Sequence, residues 1–374
     1  MSARRGVVIL KATFLAWMMT SALGCASLHV DEEAGSRIVK SRFSGWTWNQ
    51  GQADASIVSQ DGGFSYSVPG GFMWWFGDSF RGSRDRSGKP HFSGGAVSCA
   101  VGLRSGTDQR VLPVLRFLTG ADGTVAQAIG FLPGESWDRH RIWPTSGIYV
   151  NGKAYTYYSV IELGKGGWDF KNVGAGLARS TEPLAPYERI QAAEGWRFPV
   201  APQAVLPDGD WIYLYAVAKI GDQQGIWLSR VQPNQIEHPS AYEFYCAPGP
   251  TFSRDKSTQC LFLEDVYGQT SVAWNEYLQQ YVMVTSSNLC NPRRIWFRTA
   301  DKPWGPWGKP VADITIPRYR QGRKVKCVYC AYLHPELFSE KGRIMNVTCS
   351  VMLADAEVDA NNEVIEVEIE SLAR

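Results

Sequence analysis

The feature that most constrains the fold is a strand–turn–strand unit that recurs five times along the chain. Each unit has an apolar or aromatic strand, a short turn rich in Gly, Pro, Asn or Asp, and a second strand of the same kind, which is the pattern of a β-hairpin. The five hairpins span residues 60–79, 147–160, 204–218, 271–286 and 331–351. Their turns lie roughly 60–80 residues apart, as expected of repeated units of three or four strands.

These repeats predict an all-β fold, a five-bladed β-propeller, with one hairpin at the inner edge of each blade. Further strands at 98–103, 175–179, 225–230 and 294–298 extend four of the units. No segment with helical periodicity of useful length separates them. A β-sandwich is the alternative, but it would need fewer strands or a second domain, and no Pro/Ser-rich linker divides the chain. We therefore assign residues 43–374 to a single propeller domain.

The first hairpin carries an aspartate at each open end. Asp61 and Asp78 lie almost symmetrically about the turn, so they face each other if Pro69-Gly70 forms it and are diagonal neighbours if Gly70-Gly71 does. In both registers they share one face of the hairpin, because side chains alternate with period two. Paired carboxylates are the groups that glycoside hydrolysis requires. Each aspartate taken singly would more simply bond the backbone of a turn or strand end.

Propeller topology places this pair at one rim of the central channel, where the first strand of a blade begins and the second ends. Counting the same distance from the other turns adds aromatic, acidic and imidazole groups to that rim. The predicted substrate-binding residues are Trp143 in the second blade, Glu264 and Tyr267 in the fourth, and His334 in the fifth. Convergence of such groups is typical of a ligand site. The alternatives are packing for Trp143, a solvated loop for Glu264 and a structural role for His334.

A carboxylate pair would divide the work of cleaving a glycosidic bond. One carboxyl group, with its pKa raised by the negative neighbour, would stay protonated and donate to the leaving oxygen. The other, or a third acid from another blade such as Glu264 or Asp265, would act as base on water or as nucleophile. The sequence has no GxSxG, HExxH or Walker pattern and no GxGxxG after a strand, so other chemistries lack their motifs. The net charge of +2 gives no nucleic-acid footprint.

The N-terminus has the pattern of an export signal. Two arginines precede an apolar run that is too short for a comfortable membrane span. The run ends at Ser21-Ala22-Leu23-Gly24-Cys25, which resembles a bacterial lipobox with Cys25 as the lipidated residue. We expect a lipoprotein signal peptide (1–24), a tether (25–42) and a membrane-anchored location in the bacterial cell envelope. Ordinary secretion is the alternative.

Seven further cysteines follow Cys25, an odd number, so they cannot all pair within the chain. Cys246 and Cys260 are close enough in sequence for a local disulfide in an oxidising compartment. The single Cys327-Val328-Tyr329-Cys330 segment has no second pair at zinc spacing, so it predicts no metal site. No cofactor is expected, and a cation on the propeller axis is left open.

The chain resembles a known family at these residues. Asp61-Gly62 followed by Trp75-Phe76-Gly77-Asp78-Ser79 is similar to the first-blade signature of the family called domain of unknown function 4185, and residues 145–151, 300–306 and 333–335 are similar to its later blades. The resemblance covers roughly residues 45–355. It implies a five-bladed β-propeller in a family whose characterised members include endo-D-arabinanases, which cleave D-arabinofuranan. It also implies that Asp61 and Asp78 match the catalytic candidates of those enzymes.

The sequence therefore predicts an exported glycoside hydrolase that cleaves a furanose-containing, arabinan-type polysaccharide through Asp61 and Asp78. The alternative is a non-catalytic propeller lipoprotein that binds a glycan or a protein at the cell surface. A purely structural envelope lipoprotein is a third interpretation. We expect a monomer that contacts a glycan and, through its lipid, a membrane, but no nucleic acid.

Overall fold

The protein is an all-β propeller of five blades, as predicted. The computed structural model describes residues 38–46, 49–86, 89–105, 114–165, 169–192, 195–196, 200–220, 223–246, 250–264, 266, 268–286, 294–316, 319–320, 323–353 and 362–371. The strands within these residues form five sheets, and each sheet is one blade.

The strands follow one another along the chain, blade by blade. After β1 (Ile38–Trp46) and a short helix α1 (Gln50–Asp54), the first blade contains β2 (Ile57–Val68), β3 (Gly71–Arg84), β4 (Pro90–Val97), β5 (Ala100–Ser105) and β6 (Arg116–Phe117). The second contains β7 (His140–Val150), β8 (Lys153–Leu163), β9 (Phe170–Ser180) and β10 (Glu188–Arg189). The third contains β11 (Ala204–Asp208), β12 (Trp211–Ile220), β13 (Gln223–Val231), β14 (Glu243–Cys246), β15 (Thr251–Ser253) and β16 (Leu261–Glu264).

The fourth blade contains β17 (Thr270–Asn275), β18 (Gln280–Ser286), β19 (Arg294–Ala300) and β20 (Ala312–Thr315). The fifth contains β21 (Tyr319–Arg320), β22 (Arg323–Leu333), β23 (Ile344–Leu353), β24 (Asn362–Ser371) and β1. Short 3-10 helices occupy Pro233–Gln235, Pro239–Ala241, Lys256–Thr258, Pro335–Leu337 and Glu340–Gly342.

The innermost strands form a closed ring around the axis. β2 contacts β7, β7 contacts β11, β11 contacts β17, β17 contacts β22, and β22 contacts β2. The fifth blade also joins the two ends of the chain, because β1 pairs antiparallel with β24 as its outermost strand. This pairing shortens the tether predicted for residues 25–42: residues 38–42 belong to β1, and residues 25–37 lie outside the described part of the chain.

Aromatic side chains fill the space between neighbouring blades. At the first interface Trp75 is fully buried, stacks on Phe64 and meets Tyr187 edge-on with ring centroids 4.7 Å apart. Tyr157 of β8 and Tyr215 of β12 are also fully buried. Rings of this size bury large apolar areas with little loss of side-chain freedom, so these interfaces hold the inner strands in fixed positions around the channel.

The turn of the first hairpin decides between the two registers that the sequence allowed. Val68 pairs with Gly71, so Pro69-Gly70 forms a two-residue turn. Gly70 has a φ of 79°, which glycine adopts without steric cost. This register places Asp61 and Asp78 opposite each other rather than on a diagonal.

The cysteines differ from the sequence-based expectation. Cys246 and Cys260 do not form the suggested local disulfide, and both side chains are thiols. The sulfur of Cys246 lies 2.9 Å from the hydroxyl of Thr258 instead. Cys327 is disulfide-bonded, whereas Cys330 is a thiol. Within the described residues no helix combines the length and the apolar character needed to cross a membrane.

Candidate active site

Two β-bulges shape the open end of the first hairpin. Gly77 and Asp78 of β3 together lie opposite Asp61 of β2, and one position further Gly63 is inserted into β2 without a partner, which restores the register. Gly62 and Gly63 have φ values of 81° and 108°, a backbone region open to glycine. Bulges commonly re-aim side chains next to active sites. Here they bring the carboxyl group of Asp61 to the backbone of Asp78.

Asp61 is partly buried and is held by two hydrogen-bond donors. The hydroxyl of Tyr329, on β22 of the fifth blade, donates to Asp61 Oδ2 at 3.0 Å, and the backbone N–H of Asp78 donates to the same carboxyl group. Gly77 permits this approach, since a Cβ atom there would collide with Asp61 Oδ1. Burial, followed by the negative charge of Asp78, raises the pKa of Asp61 to about 7, although both hydrogen bonds act to lower it.

Asp78 has different neighbours, which come from β7 of the second blade. The indole Nε1 of Trp143 donates to Asp78 Oδ1 at 2.9 Å, and Arg141 Nε lies 3.5 Å from Oδ2. Burial raises the pKa of Asp78 to about 6, against the lowering effects of Arg141 and Trp143. Arg141 is itself fixed, because its guanidinium lies over the ring of Trp137, 3.5 Å from the centroid, and donates to the Trp137 carbonyl.

These unequal surroundings determine which of the two carboxyl groups binds a proton first. Two buried carboxyl groups this close do not both ionise readily. Arg141 favours the charged form of Asp78, whereas Asp61 contacts only neutral donors among the described residues, so the first proton binds to Asp61. The pair thus places a proton donor beside a carboxylate. Within the described part of the chain, no group of three or more His, Cys, Asp or Glu side chains could hold a metal ion.

One of the four predicted substrate-binding residues lies at the pair. Trp143 contacts Asp78 directly, and its ring remains partly exposed. Glu264 is exposed and lies on β16, the fourth strand outwards in the third blade. Because strands are about 4.8 Å apart, three spacings separate Glu264 from the inner strand, and the structure does not bring it to the pair. Tyr267 lies outside the described residues.

The structure corrects the prediction that His334 contacts substrate. Its side chain is 0% exposed and stacks on Trp74 with centroids 4.3 Å apart. Its ring nitrogens each lie 2.7 Å from a hydroxyl oxygen, Nδ1 from Ser65 Oγ and Nε2 from Thr348 Oγ1. Burial lowers its pKa to about 3. The prediction was wrong because β22 ends at Leu333 and two 3-10 helices follow it. His334 therefore lies at the turn end of the fifth-blade hairpin and not at the rim that holds Asp61.

Within the part of the chain that the structure describes, two residues that contact the pair were missed from the sequence. Arg141 could have been predicted from the sequence, because it precedes Trp143 by two positions and therefore lies on the same face of the strand. Tyr329 could not, since its place at the rim depends on where β22 begins and on a bulge in that strand between Tyr329 and Tyr332.

Solved structures of other proteins are similar to this chain. A "putative hydrolase" from Bacteroides ovatus ATCC 8483 is similar with a TM-score of 0.60 and 15% identity, over 87% of this chain and 87% of that chain. The GH43_1 enzyme from Xanthomonas citri complexed with xylotriose has a TM-score of 0.49 and 14% identity, over 87% of this chain and 89% of that chain. No curated protein matches the sequence. The model of the family described as Domain of unknown function (DUF4185) matches residues 11–353, and the chain belongs to this family.

Proposed function

We propose that this protein is a glycoside hydrolase that cleaves a furanose-containing, arabinan-type polysaccharide. The observation that carries the proposal is the pair of opposed aspartates: among the described residues, Asp78 has a cationic neighbour and Asp61 has none. Glycosidases use two carboxyl groups in different protonation states. The choice of a furanose substrate rests on the resemblance of the first-blade residues to those of D-arabinofuranan-cleaving family members.

The geometry supports distinct roles for the two aspartates. Asp61, which binds the first proton, is the group that donates to the leaving glycosidic oxygen. Asp78, kept ionised by Arg141 and Trp143, is the carboxylate that activates water or attacks the sugar. Tyr329 orients Asp61 by donating to Oδ2, and the backbone N–H of Asp78 donates to the same carboxyl group. An aspartate that serves as acid requires this combination of burial and like charge.

An aromatic surface lies next to Asp78 and is suited to a sugar ring. Trp143 is anchored by its hydrogen bond to Asp78, and Phe170, the first residue of β9, meets it edge-on with centroids 5.2 Å apart. Phe170 is 38% exposed, and Val173 of the same strand is 47% exposed. Apolar faces of sugars stack on aromatic rings, so we propose that Trp143 and Phe170 bind the sugar unit adjacent to the scissile bond.

Phe170→Ala is expected to raise KM for the polysaccharide by about 3- to 10-fold with little change in kcat, because an aromatic contact contributes about 0.5–1.5 kcal/mol and Phe170 does not touch either aspartate. Trp274→Ala is the matched control. Trp274 is 41% exposed and also meets a second ring edge-on, but it lies at the turn end of β17. Steady-state kinetics with equal effects of the two variants would contradict the proposed sugar surface.

The proposed activity is tested by incubating the purified protein with D-arabinan, L-arabinan, arabinoxylan and xylan and measuring new reducing ends. Release from an arabinofuranose polymer is expected. Cleavage of xylan alone would overturn the substrate class and keep the reaction type. Binding of a polymer without any cleavage would support the non-catalytic alternative instead.

We also propose export and anchoring through Cys25, which lies outside the described residues. The support is the sequence of the first 25 residues. In a bacterial host, the full chain is expected to partition with membranes and to incorporate a radiolabelled fatty acid, and Cys25→Ser is expected to lose both properties. A Cys25→Ser protein that stays labelled would contradict the anchor.

A further inference from the structure

A chain of polar groups crosses the interface between the first and fifth blades, apart from the aspartate pair. Ser65 Oγ lies 2.9 Å from Glu336 Oε2 and 2.7 Å from His334 Nδ1. On the other side of the ring, His334 Nε2 lies 2.7 Å from Thr348 Oγ1. Thr348 in turn donates to the carbonyl oxygen of Gly63 at 3.2 Å. We call these five residues the Glu336 chain.

The Glu336 chain contains Ser, His and Glu but is not a nucleophilic triad. In a triad the acid bonds the ring nitrogen remote from the serine and so orients the base. Here Glu336 contacts Ser65 itself, and Thr348 occupies the remote nitrogen. His334 is also fully buried and stacked on Trp74. The arrangement is that of a path of hydrogen bonds, not of an attacking group.

The number of available hydrogen atoms determines the protonation state in which all four contacts of the Glu336 chain are hydrogen bonds. The two ends, a carboxylate and a carbonyl oxygen, can only accept. The four contacts between them need four hydrogens, whereas Ser65, Thr348 and a neutral His334 supply one each. With three hydrogens one contact has no donor. All four contacts have a donor only when the Glu336 chain holds one further proton, on Glu336 or on His334.

We propose that Glu336 is a positioning residue whose carboxyl proton completes the chain and so holds the Gly63 carbonyl in the bulge next to Asp61. In this state Glu336 donates to Ser65, Ser65 donates to His334 Nδ1, His334 Nε2–H donates to Thr348, and Thr348 donates to Gly63. The positioning of the bulge by Glu336 affects catalysis only if the proposed function is correct, but the protonation of the Glu336 chain can be tested without any substrate.

The surroundings favour Glu336 as the carrier of the extra proton. Burial raises the pKa of Glu336 to about 6 and lowers that of His334 to about 3, so the ring remains neutral while the carboxyl group is protonated. In the part of the chain that the structure describes, the groups that face Glu336 and His334 are Ser65 of β2, Thr348 of β23, the ring of Trp74 of β3 and the backbone N–H of Glu336 itself. Among the described residues no charged side chain contributes to either shift.

Loss of the proton has a defined consequence. Ionised Glu336 draws the hydrogen of Ser65, since a hydrogen bond to a charged acceptor is the stronger one. His334 must then donate from Nδ1 and accept at Nε2 from Thr348. The hydrogen of Thr348 therefore leaves the Gly63 carbonyl, so one proton at Glu336 changes both the tautomer of His334 and the hydrogen bonding of the bulge.

The tautomer of His334 can be observed by nitrogen-15 NMR of the imidazole ring. The chain has five histidines, and a background in which the other four are replaced by Gln leaves a single ring signal; these are His29, His91, His140 and His238. We expect the Nε2–H form at pH 4.5 and the Nδ1–H form at pH 8, with a midpoint near the Glu336 pKa. The amide nitrogen of Phe64, bonded to the Gly63 carbonyl carbon, is expected to shift with the same midpoint.

Glu336→Gln tests the cause, because its amide donates to Ser65 at every pH. This variant is expected to keep the Nε2–H form and an unchanged Phe64 signal from pH 4.5 to 8. Glu340→Gln is the control, since Glu340 bonds Arg343 on the surface, and it should behave as the wild type. A single tautomer in the wild-type ring at all pH values, or equal titrations of wild type and Glu336→Gln, would overturn the proposal.

Discussion

Asp61→Asn and Asp78→Asn are each expected to reduce polysaccharide hydrolysis by about 100- to 10 000-fold, the range that a general acid or base contributes. Asn keeps the shape of the side chain but can neither give nor take a proton at working pH. Asp61→Asn removes the proton donor, and Asp78→Asn removes the carboxylate that Arg141 and Trp143 hold. Measurement of kcat/KM on an arabinofuranose polymer checks both losses.

The two variants are expected to differ in the substrate on which their hydrolysis rate recovers. An aryl glycoside with a good leaving group needs no proton donor, so Asp61→Asn should recover most of its rate on that substrate while Asp78→Asn should not. Asp78→Asn should also lower the pKa of Asp61, because the charge of Asp78 is one cause of its rise. The acidic group in the pH–rate profile would then move to lower pH. The opposite pattern on the aryl substrate would exchange the two roles.

A matched aspartate separates catalysis from folding. Asp208, on the inner strand β11, accepts a hydrogen bond from the hydroxyl of Tyr281 at 2.6 Å, much as Asp61 accepts from Tyr329. It lies at the turn end of its strand and does not contact the pair. Asp208→Asn is therefore expected to keep wild-type kinetics. An equal loss in Asp208→Asn would attribute the effect of all three variants to the fold.

Local chemistry explains why so much of the first blade could be predicted. A two-residue turn and the period of two restrict the first hairpin to two registers, and in both of them Asp61 and Asp78 share one face; the structure selects the register with the Pro69-Gly70 turn. Trp143 followed from the same logic because the Asn151-Gly152 turn is equally short. The bulge at the double glycine after Asp61 was not predicted, and its effect on the direction of the carboxyl group required the three-dimensional arrangement.

Contacts between distant segments explain what the sequence did not reveal. Tyr329 reaches Asp61 across 268 positions, and its place depends on a bulge in β22 that no turn signal announces. The two 3-10 helices after β22 lengthen the connection to β23, so His334, which was predicted at the rim, lies in the core. The pairing of β1 with β24 joins opposite ends of the chain, so residues 38–42 looked like a polar tether when their partner strand was not known.

The folded protein is expected to lose stability through its aspartate pair as the pH rises to about 6–7, and Asp61→Asn is expected to remove much of that loss. The pKa of Asp61 is raised from 3.8 to about 7, and that of Asp78 to about 6. A group with a raised pKa stabilises the fold below its unfolded pKa, and this contribution disappears as the pH passes the folded pKa. At about 1.4 kcal/mol per pKa unit, the whole shift of Asp61 corresponds to an effect on the order of 4 kcal/mol.

Urea unfolding at pH 4.5 and pH 8 isolates this effect, since the comparison of variant with wild type cancels other titrating groups. His334 acts in the opposite direction: its pKa is lowered to about 3, so its contribution is present above its unfolded pKa and is lost on acidification. From pH 4.5 to pH 8, the free energy of unfolding of Asp61→Asn should rise by on the order of 3 kcal/mol relative to that of the wild type. The free energy of unfolding of Asp208→Asn should not change relative to the wild type. If the Asp61→Asn curve runs parallel to the wild type, Asp61 is ionised throughout this range in the folded protein and cannot be the proton donor.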